Sequence, residues 1–118
     1  MTKKVVLIIE DEPELNHIFS LVLQDEFQVE SVGDGQAAVL LLSSLVPDLI
    51  VLDMHLPNMP GDQVLSFIRG NKQLNETKVI LATADTQRAE RLKDIADLVL
   101  LKPISPTQLL ELAVRITS

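Results

Sequence analysis

Two acidic stretches far apart in the chain share one setting: each follows a short apolar run. "VVLII" (Val5–Ile9) leads straight into Glu10, Asp11 and Glu12, and "LIVL" (Leu49–Leu52) leads into Asp53. Two further apolar runs also end on polar groups, "VILA" (Val79–Ala82) on Thr83 and "LVLL" (Leu98–Leu101) on Lys102. Gathered at one rim, these side chains have a definite chemistry. Carboxylates about 5 Å apart, the spacing of Asp11 and Asp53 if their strands are neighbours, do not both ionise cheaply. One pKa rises, or a cation joins them. With no Cys and no suitably placed His, the ligands are oxygens and the cation is a hard one. Mg2+ fits best, because it uses one or two carboxylates, keeps waters and takes phosphate oxygens. The Thr83 hydroxyl and Lys102 ammonium complete a ring suited to a tetrahedral anion. With no Ser–His pair or Cys to serve, a carboxylate is left as the nucleophile.

Each piece also has a plainer reading. Asp11 can be a helix N-cap with Glu14 three residues on, and Asp53 can terminate a turn. Thr83 alone is a strand-end hydroxyl, and Lys102 before a proline is a solvated surface group. Glu12, His17 and His55 are expected at the surface. Placement at consecutive strand ends is what favours the functional reading.

The elements that must position these groups follow from the pattern of apolar residues. Continuous runs of four or five fit strands covered on both faces, as in a parallel sheet. The run "VESV" (Val29–Val32) alternates instead, as a half-exposed edge strand does. Between the runs, Leu15, Ile18, Phe19, Val22 and Leu23 form a helical stripe. Ala37 to Leu45 is almost wholly apolar and reads as a buried helix. Val64, Leu65, Phe67 and Ile68 mark a third helix, Ala89, Leu92 and Ala96 a short fourth, and Leu109, Leu112, Ala113 and Ile116 a fifth. Asp34 is a cap candidate within "GDG", otherwise a plain turn. Pro13 and Pro60 suit helix starts, and "SPTQ" (Ser105–Gln108) reads as a capping box. A β-α unit repeated five times implies an α/β fold: a doubly wound, five-stranded parallel sheet with five helices on both faces. Ligands bind such sheets at the carboxyl ends of the strands, where the polar groups above fall.

The chain has 118 residues, 47 % of them hydrophobic, which suits one domain (residues 1–118) with one real core. Neither a disulfide framework nor a thiolate metal site is available. No run has the length of a signal-peptide core or a membrane helix, so the expectation is a soluble, cytoplasmic protein without membrane contact. A net charge of −7 disfavours direct nucleic-acid binding, and "RAERLK" (Arg88–Lys93) is the one basic-leaning stretch.

With these residues in view, the chain resembles the receiver domain of two-component response regulators, chemotaxis regulators among them. The likeness is carried by "IIEDEP" at the first strand end, "PDLIVLDMHLPNMPG" around the third, "ATA" (Ala82–Ala84) after the fourth and "LKP" (Leu101–Pro103) after the fifth. It implies a flavodoxin-like sheet of order 2-1-3-4-5. It implies that Asp53 is the phosphoacceptor, taking a phosphoryl group from a phosphohistidine of a sensor histidine kinase or a histidine phosphotransfer domain. By the same likeness Asp11 is the direct Mg2+ ligand, Glu10 acts through water, and His55 offers its backbone carbonyl. Thr83 is the switch hydroxyl and Lys102 the phosphoryl contact, with the Lys102–Pro103 bond cis. Such a protein is no classical enzyme; it catalyses only its own phosphorylation and dephosphorylation. It passes the signal to a downstream protein or to an effector domain.

Two departures from the family pattern stand out. Val99 occupies a position where the family commonly has Tyr or Phe, and the chain has no Tyr or Trp. Lys102 follows Thr83 by only 19 positions, shortening the fourth helix region by about one turn, and Ile95 stands where glycine is common. These features leave a second reading, a receiver-fold module that binds a partner without phosphorylation. An aspartyl phosphatase is disfavoured because His55, not a second Asp, lies two residues after Asp53. A flavin carrier is disfavoured by the acidic "EDEPEL" loop and the scarcity of aromatics.

Overall fold

The computed structural model describes residues 2–118. Five parallel strands, β1 (Lys4–Ile9), β2 (Phe27–Val32), β3 (Leu49–Asp53), β4 (Lys78–Thr83) and β5 (Leu98–Leu101), form one sheet of order β2-β1-β3-β4-β5. Helices α1 (Pro13–Leu23), α2 (Gly35–Leu42), α3 (Gly61–Gly70), α4 (Thr86–Leu92) and α5 (Pro106–Thr117) alternate with them, and a short 3-10 turn, Lys72–Leu74, precedes β4. The strand order reverses between β1 and β3, which fixes a crevice at their carboxyl ends.

Side chains alternate through the sheet, so each strand feeds two cores. Leu7, Ile9, Ile50, Leu52, Val79 and Leu81 point to one face, where Ala38 and Leu42 of α2 and Val64, Leu65 and Ile68 of α3 cover them. Val6, Ile8, Leu49, Val51 and Ile80 point to the other, against Phe19 and Leu23 of α1 and Leu109 and Ala113 of α5. Every residue of β3 is buried, as an unbroken apolar run requires.

Helix boundaries follow the caps. Pro13 opens α1, Asp34 accepts from Ala37 N at 2.8 Å, and Ser105 accepts from Gln108 N at 3.3 Å, the serine half of the expected box. Pro60 is itself the N-cap of α3 rather than its first residue. Three expectations need correction. The apolar segment from Ala37 is not a buried helix to Leu45: α2 ends at Leu42, and Leu40 is 74 % exposed. A helix laid on one sheet face can bury only one stripe, however apolar the rest. The fourth helix stops at Leu92, leaving Ala96 outside it, and none of its residues is buried. Strand β5 reads as doubly covered but is the second edge of the sheet, half-buried with Leu101 exposed.

Candidate phosphoryl and metal site

Asp53 is the last residue of the most deeply buried strand and is 2 % exposed. Its backbone continues into Met54, whose N–H bonds to Ala82 O at 3.0 Å, so the side chain sits on a rigid mount. Asp53 Oδ1 accepts from His55 N at 3.1 Å and meets Lys102 Nζ at 2.9 Å. Lys102 is held in turn by its backbone N–H, which donates to Thr83 O at 2.9 Å, and it enters a cis bond with Pro103, as expected. Burial by itself would lower the Lys102 pKa. The hydrogen bond and charge of Asp53, with Glu10 and Glu12 beyond, outweigh burial and raise it, so the ammonium keeps its proton.

Register corrects one detail of the acidic pair. Ile9 pairs with Leu52, so the next residues level with one another are Glu10 and Asp53, and Asp11 lies one step further out. Ligand oxygens of Glu10, Asp11 and Asp53 nevertheless all lie within 4.8 Å of one another. Glu10 is buried, accepts from Glu12 N at 3.1 Å, and is pushed up to about 7, first by burial and further by the charge of Asp53. A buried carboxyl that resists ionising beside two others is a place where a divalent cation lowers the energy. The donor set, three carboxylates and no nitrogen or sulfur, fits Mg2+.

The capping alternative for Asp11 does not hold. The N-cap of α1 is Glu12, which makes no side-chain cap bond, and Asp11 is exposed at the rim. Glu12, His17 and the His55 side chain are exposed, as expected.

Met54 to Pro60 forms a tight loop over the site. Asn58 has φ 68°, a left-handed conformation that asparagine tolerates well. Met59 N–H bonds to Pro57 O at 2.7 Å and Gly61 N–H to Met54 O at 3.3 Å. A Cβ on Gly61 would come within 2.6 Å of Met54 Cα. From the other side, the start of α2 presses on the same loop, where a Cβ on Gly35 would stand 2.3 Å from Met59 O. "GDG" is therefore more than a plain turn; its second glycine lets α2 clamp the loop that follows Asp53.

Thr83 is buried, and its Oγ1 accepts from Asp85 N at 3.1 Å. Asp85 caps α4 by accepting from Gln87 N and Arg88 N at 3.0 and 3.1 Å. An open cavity of about 310 Å³ lies over Asp53, bounded by His55, Thr83, Ala84, Arg88 and Lys102. A second cavity of similar size lies on the far side of Lys102, against Glu10, Leu15, Phe19 and Ile104. The fold thus brings together Glu10, Asp11, Asp53, Thr83 and Lys102, and the backbone of His55 beside them. Arg88 and its partner Asp62 escaped the sequence reading. The one signal for Arg88 was its place in "RAERLK", which charge alone cannot tell from a solvated face.

Known proteins resemble this chain in sequence and in fold. The family model described as "Response regulator receiver domain" matches residues 6–114. The chain is 32 % identical over 108 residues to the DNA-binding response regulator MtrA of Mycolicibacterium smegmatis, covering 88 % of this chain and 46 % of MtrA. It is 32 % identical over 91 residues, 77 % of its length, to hybrid signal transduction histidine kinase D of Dictyostelium discoideum, but spans only 6 % of that protein. The chain therefore spans less than half the length of these curated relatives. Among solved structures, chemotaxis response regulator CheY4 of Vibrio cholerae superposes with TM-score 0.89 at 28 % identity, covering 98 % of this chain and 99 % of that one. The receiver domain of sensor histidine kinase PA1611 of Pseudomonas aeruginosa, with magnesium coordinated in its active-site cleft, shares the fold at TM-score 0.87 and 24 % identity over 98 % of both chains.

Proposed function

The chain belongs to the response regulator receiver domain family, and from that premise we propose that Asp53 is its phosphoacceptor and that residues 1–118 act as one receiver unit. Receiver domains serve as phosphoacceptors in two-component signalling and are not classical enzymes. The observation that carries the assignment is the Asp53 carboxylate, buried at the end of β3, 2.9 Å from Lys102 Nζ and clustered with Glu10 and Asp11.

Asp53 Oδ1 is engaged by two donors, which leaves Oδ2 as the attacking oxygen. It attacks the phosphorus of a phosphohistidine on a sensor histidine kinase or a histidine phosphotransfer domain. A P–O bond forms, the P–N bond breaks, and its electron pair leaves with the imidazole nitrogen. The carboxylate has no proton to lose, so no general base is needed. Lys102 neutralises the acceptor before attack and the phosphoryl oxygens after it. The Thr83 hydroxyl turns from Asp85 N toward the new group. Glu10, Asp11, Asp53 and the His55 carbonyl would hold Mg2+, which supplies charge neutralisation of the phosphoryl oxygens. The chain's own share of the rate is positioning on a rigid strand and a pre-formed electrostatic site. It catalyses its own phosphorylation and, by admitting water to the same cavity, its own dephosphorylation. The output passes to a downstream protein or effector domain rather than directly to nucleic acid. The proposed place of action is the cytoplasm; among the described residues no helix is long and apolar enough to cross a membrane.

Intact-mass measurement after incubation with phosphoramidate and Mg2+ tests the assignment. Wild type gains one phosphoryl group and Asp53→Asn gains none. An unmodified wild type, or a modified Asp53→Asn, overturns it.

A further inference from the structure

Two cations line the cavity over Asp53: Lys102, which already pairs with it, and Arg88. Arg88 sits on α4, and its Nη2 pairs with Asp62 Oδ1 in the first turn of α3. The Arg88 side chain is 28 % exposed, whereas Asp62 is 62 % exposed. Arg88 thus lines the cavity of the reacting site while its guanidinium is tied to a solvated carboxylate on a neighbouring helix. A pair of that kind in water contributes little and is readily exchanged for a stronger partner.

Phosphorylation creates such a partner. The new group carries a charge near −2 and three acceptor oxygens. With a divalent ion, Lys102, Asp11 and Glu10 counted, the loaded site retains about one uncompensated negative charge, and Asp85, which lines the same cavity while capping α4, adds to that excess. Arg88 is the remaining cation among the described residues bounding the cavity. A guanidinium matches phosphoryl oxygens in a two-bond fork and, over a half-enclosed cavity, is screened less than at Asp62. Helix α4 is lightly held and can pivot on its Asp85 cap, since none of its residues is fully buried and Leu92, at its far end, packs against the core. Val99 supplies no ring that could swing with Thr83.

We propose that Arg88 is a switchable positioning residue: it pairs with Asp62 in the unphosphorylated protein and transfers to the phosphoryl group on Asp53, drawing α4 toward the site. This rests on Asp53 being the phosphoacceptor. The device takes the place of an aromatic readout, moving a helix through a charge exchange instead of a ring rotation.

The two ends of the ion pair make opposite predictions. Beryllofluoride with Mg2+ serves as the phosphoryl mimic, and because the chain has no Trp or Tyr, binding is followed by fluorine NMR on the full chain. Arg88→Ala weakens binding about three- to tenfold, whereas Asp62→Asn, which frees Arg88, tightens it at least about twofold. The double variant behaves like Arg88→Ala, because Asp62 acts only through Arg88. A pair that merely braced α3 against α4 would shift both single variants the same way. That result, or any pattern without opposite signs, overturns the proposal. Circular dichroism establishes that each variant folds, and Arg88→Gln carries the same expectation should Arg88→Ala not. Wild type that binds no beryllofluoride would overturn the phosphoacceptor assignment itself, a failure distinct from wild type binding with indifferent variants.

Discussion

Glu10 stands where a carboxyl gains least from ionising: buried at the end of β1, level with Asp53, and pushed up to about 7 from an ordinary value of 4.5. Its folded pKa lies above its unfolded one, so its contribution to stability is full below about pH 4.5 and is lost as pH rises through 7. In metal-free protein that loss is on the order of 2 kcal/mol, enough to lower the melting temperature by several degrees between pH 5 and 8. Calorimetry on wild type and Glu10→Gln isolates the effect: the variant lacks this component of the pH dependence and is the more stable of the two at pH 8. Mg2+ reverses the sign, since the cation favours the carboxylate, so its stabilising effect on wild type grows with pH. Equal pH profiles for wild type and Glu10→Gln would contradict this account. Sequence placed Glu10, Asp11 and Asp53 at one rim because strand ends in a parallel sheet must converge. The apolar pattern could not say whether Glu10 or Asp11 stands level with Asp53, because that depends on a one-residue register that apolar runs do not encode.

The loop after Asp53 is shaped by contacts between elements. Gly35 opens α2 and touches Met59, while Gly61 opens α3 and touches Met54. A methyl group at either position meets backbone, which cannot yield as a side-chain tip can. Gly35→Ala therefore costs about 1–3 kcal/mol and displaces the loop carrying His55, so phosphoryl uptake from phosphoramidate slows as stability falls. Gly33→Ala, with nothing near its Cβ, is the control and leaves uptake unchanged. Matched stability and uptake in the two variants would show that α2 does not clamp the loop. The two prolines and the glycine of "PNMPG" favour a stiff turn on their own, but the role of Gly35 was hidden. A glycine read locally is a turn, and only the packed helix shows what it makes room for. The same limit explains Ala37 to Leu45, whose apolar residues outnumber the places α2 has to bury them.

Across the whole molecule, burial is graded. Strands β1, β3 and β4 run through the centre with both faces covered, whereas β5 is a half-buried edge and the helix before it has no fully buried residue. That edge is braced at its base, where Arg69 bonds to Ile95 O and Asp97, and Asp97 accepts from Val79 N at 2.7 Å. It is free at its top, where Thr83, Asp85 and Arg88 face the site. The order of elements and their central strands were legible because buried strands must be apolar throughout. The weakness of α4 was legible too, in its three sparse apolar residues, but the looseness of β5 was not, because an edge strand with an apolar sequence looks like a central one until its neighbours are known. If Asp53 is the phosphoacceptor proposed above, a site fixed to the rigid centre with a lightly packed edge beside it predicts that phosphorylation alters the structure locally. Hydrogen exchange with and without beryllofluoride and Mg2+ checks this. Amides of α4 and β5 gain protection and those of β1 and β3, already near the global limit, change least. A uniform change across all five strands would mean that the sheet responds as one body and that the graded packing has no part in signalling.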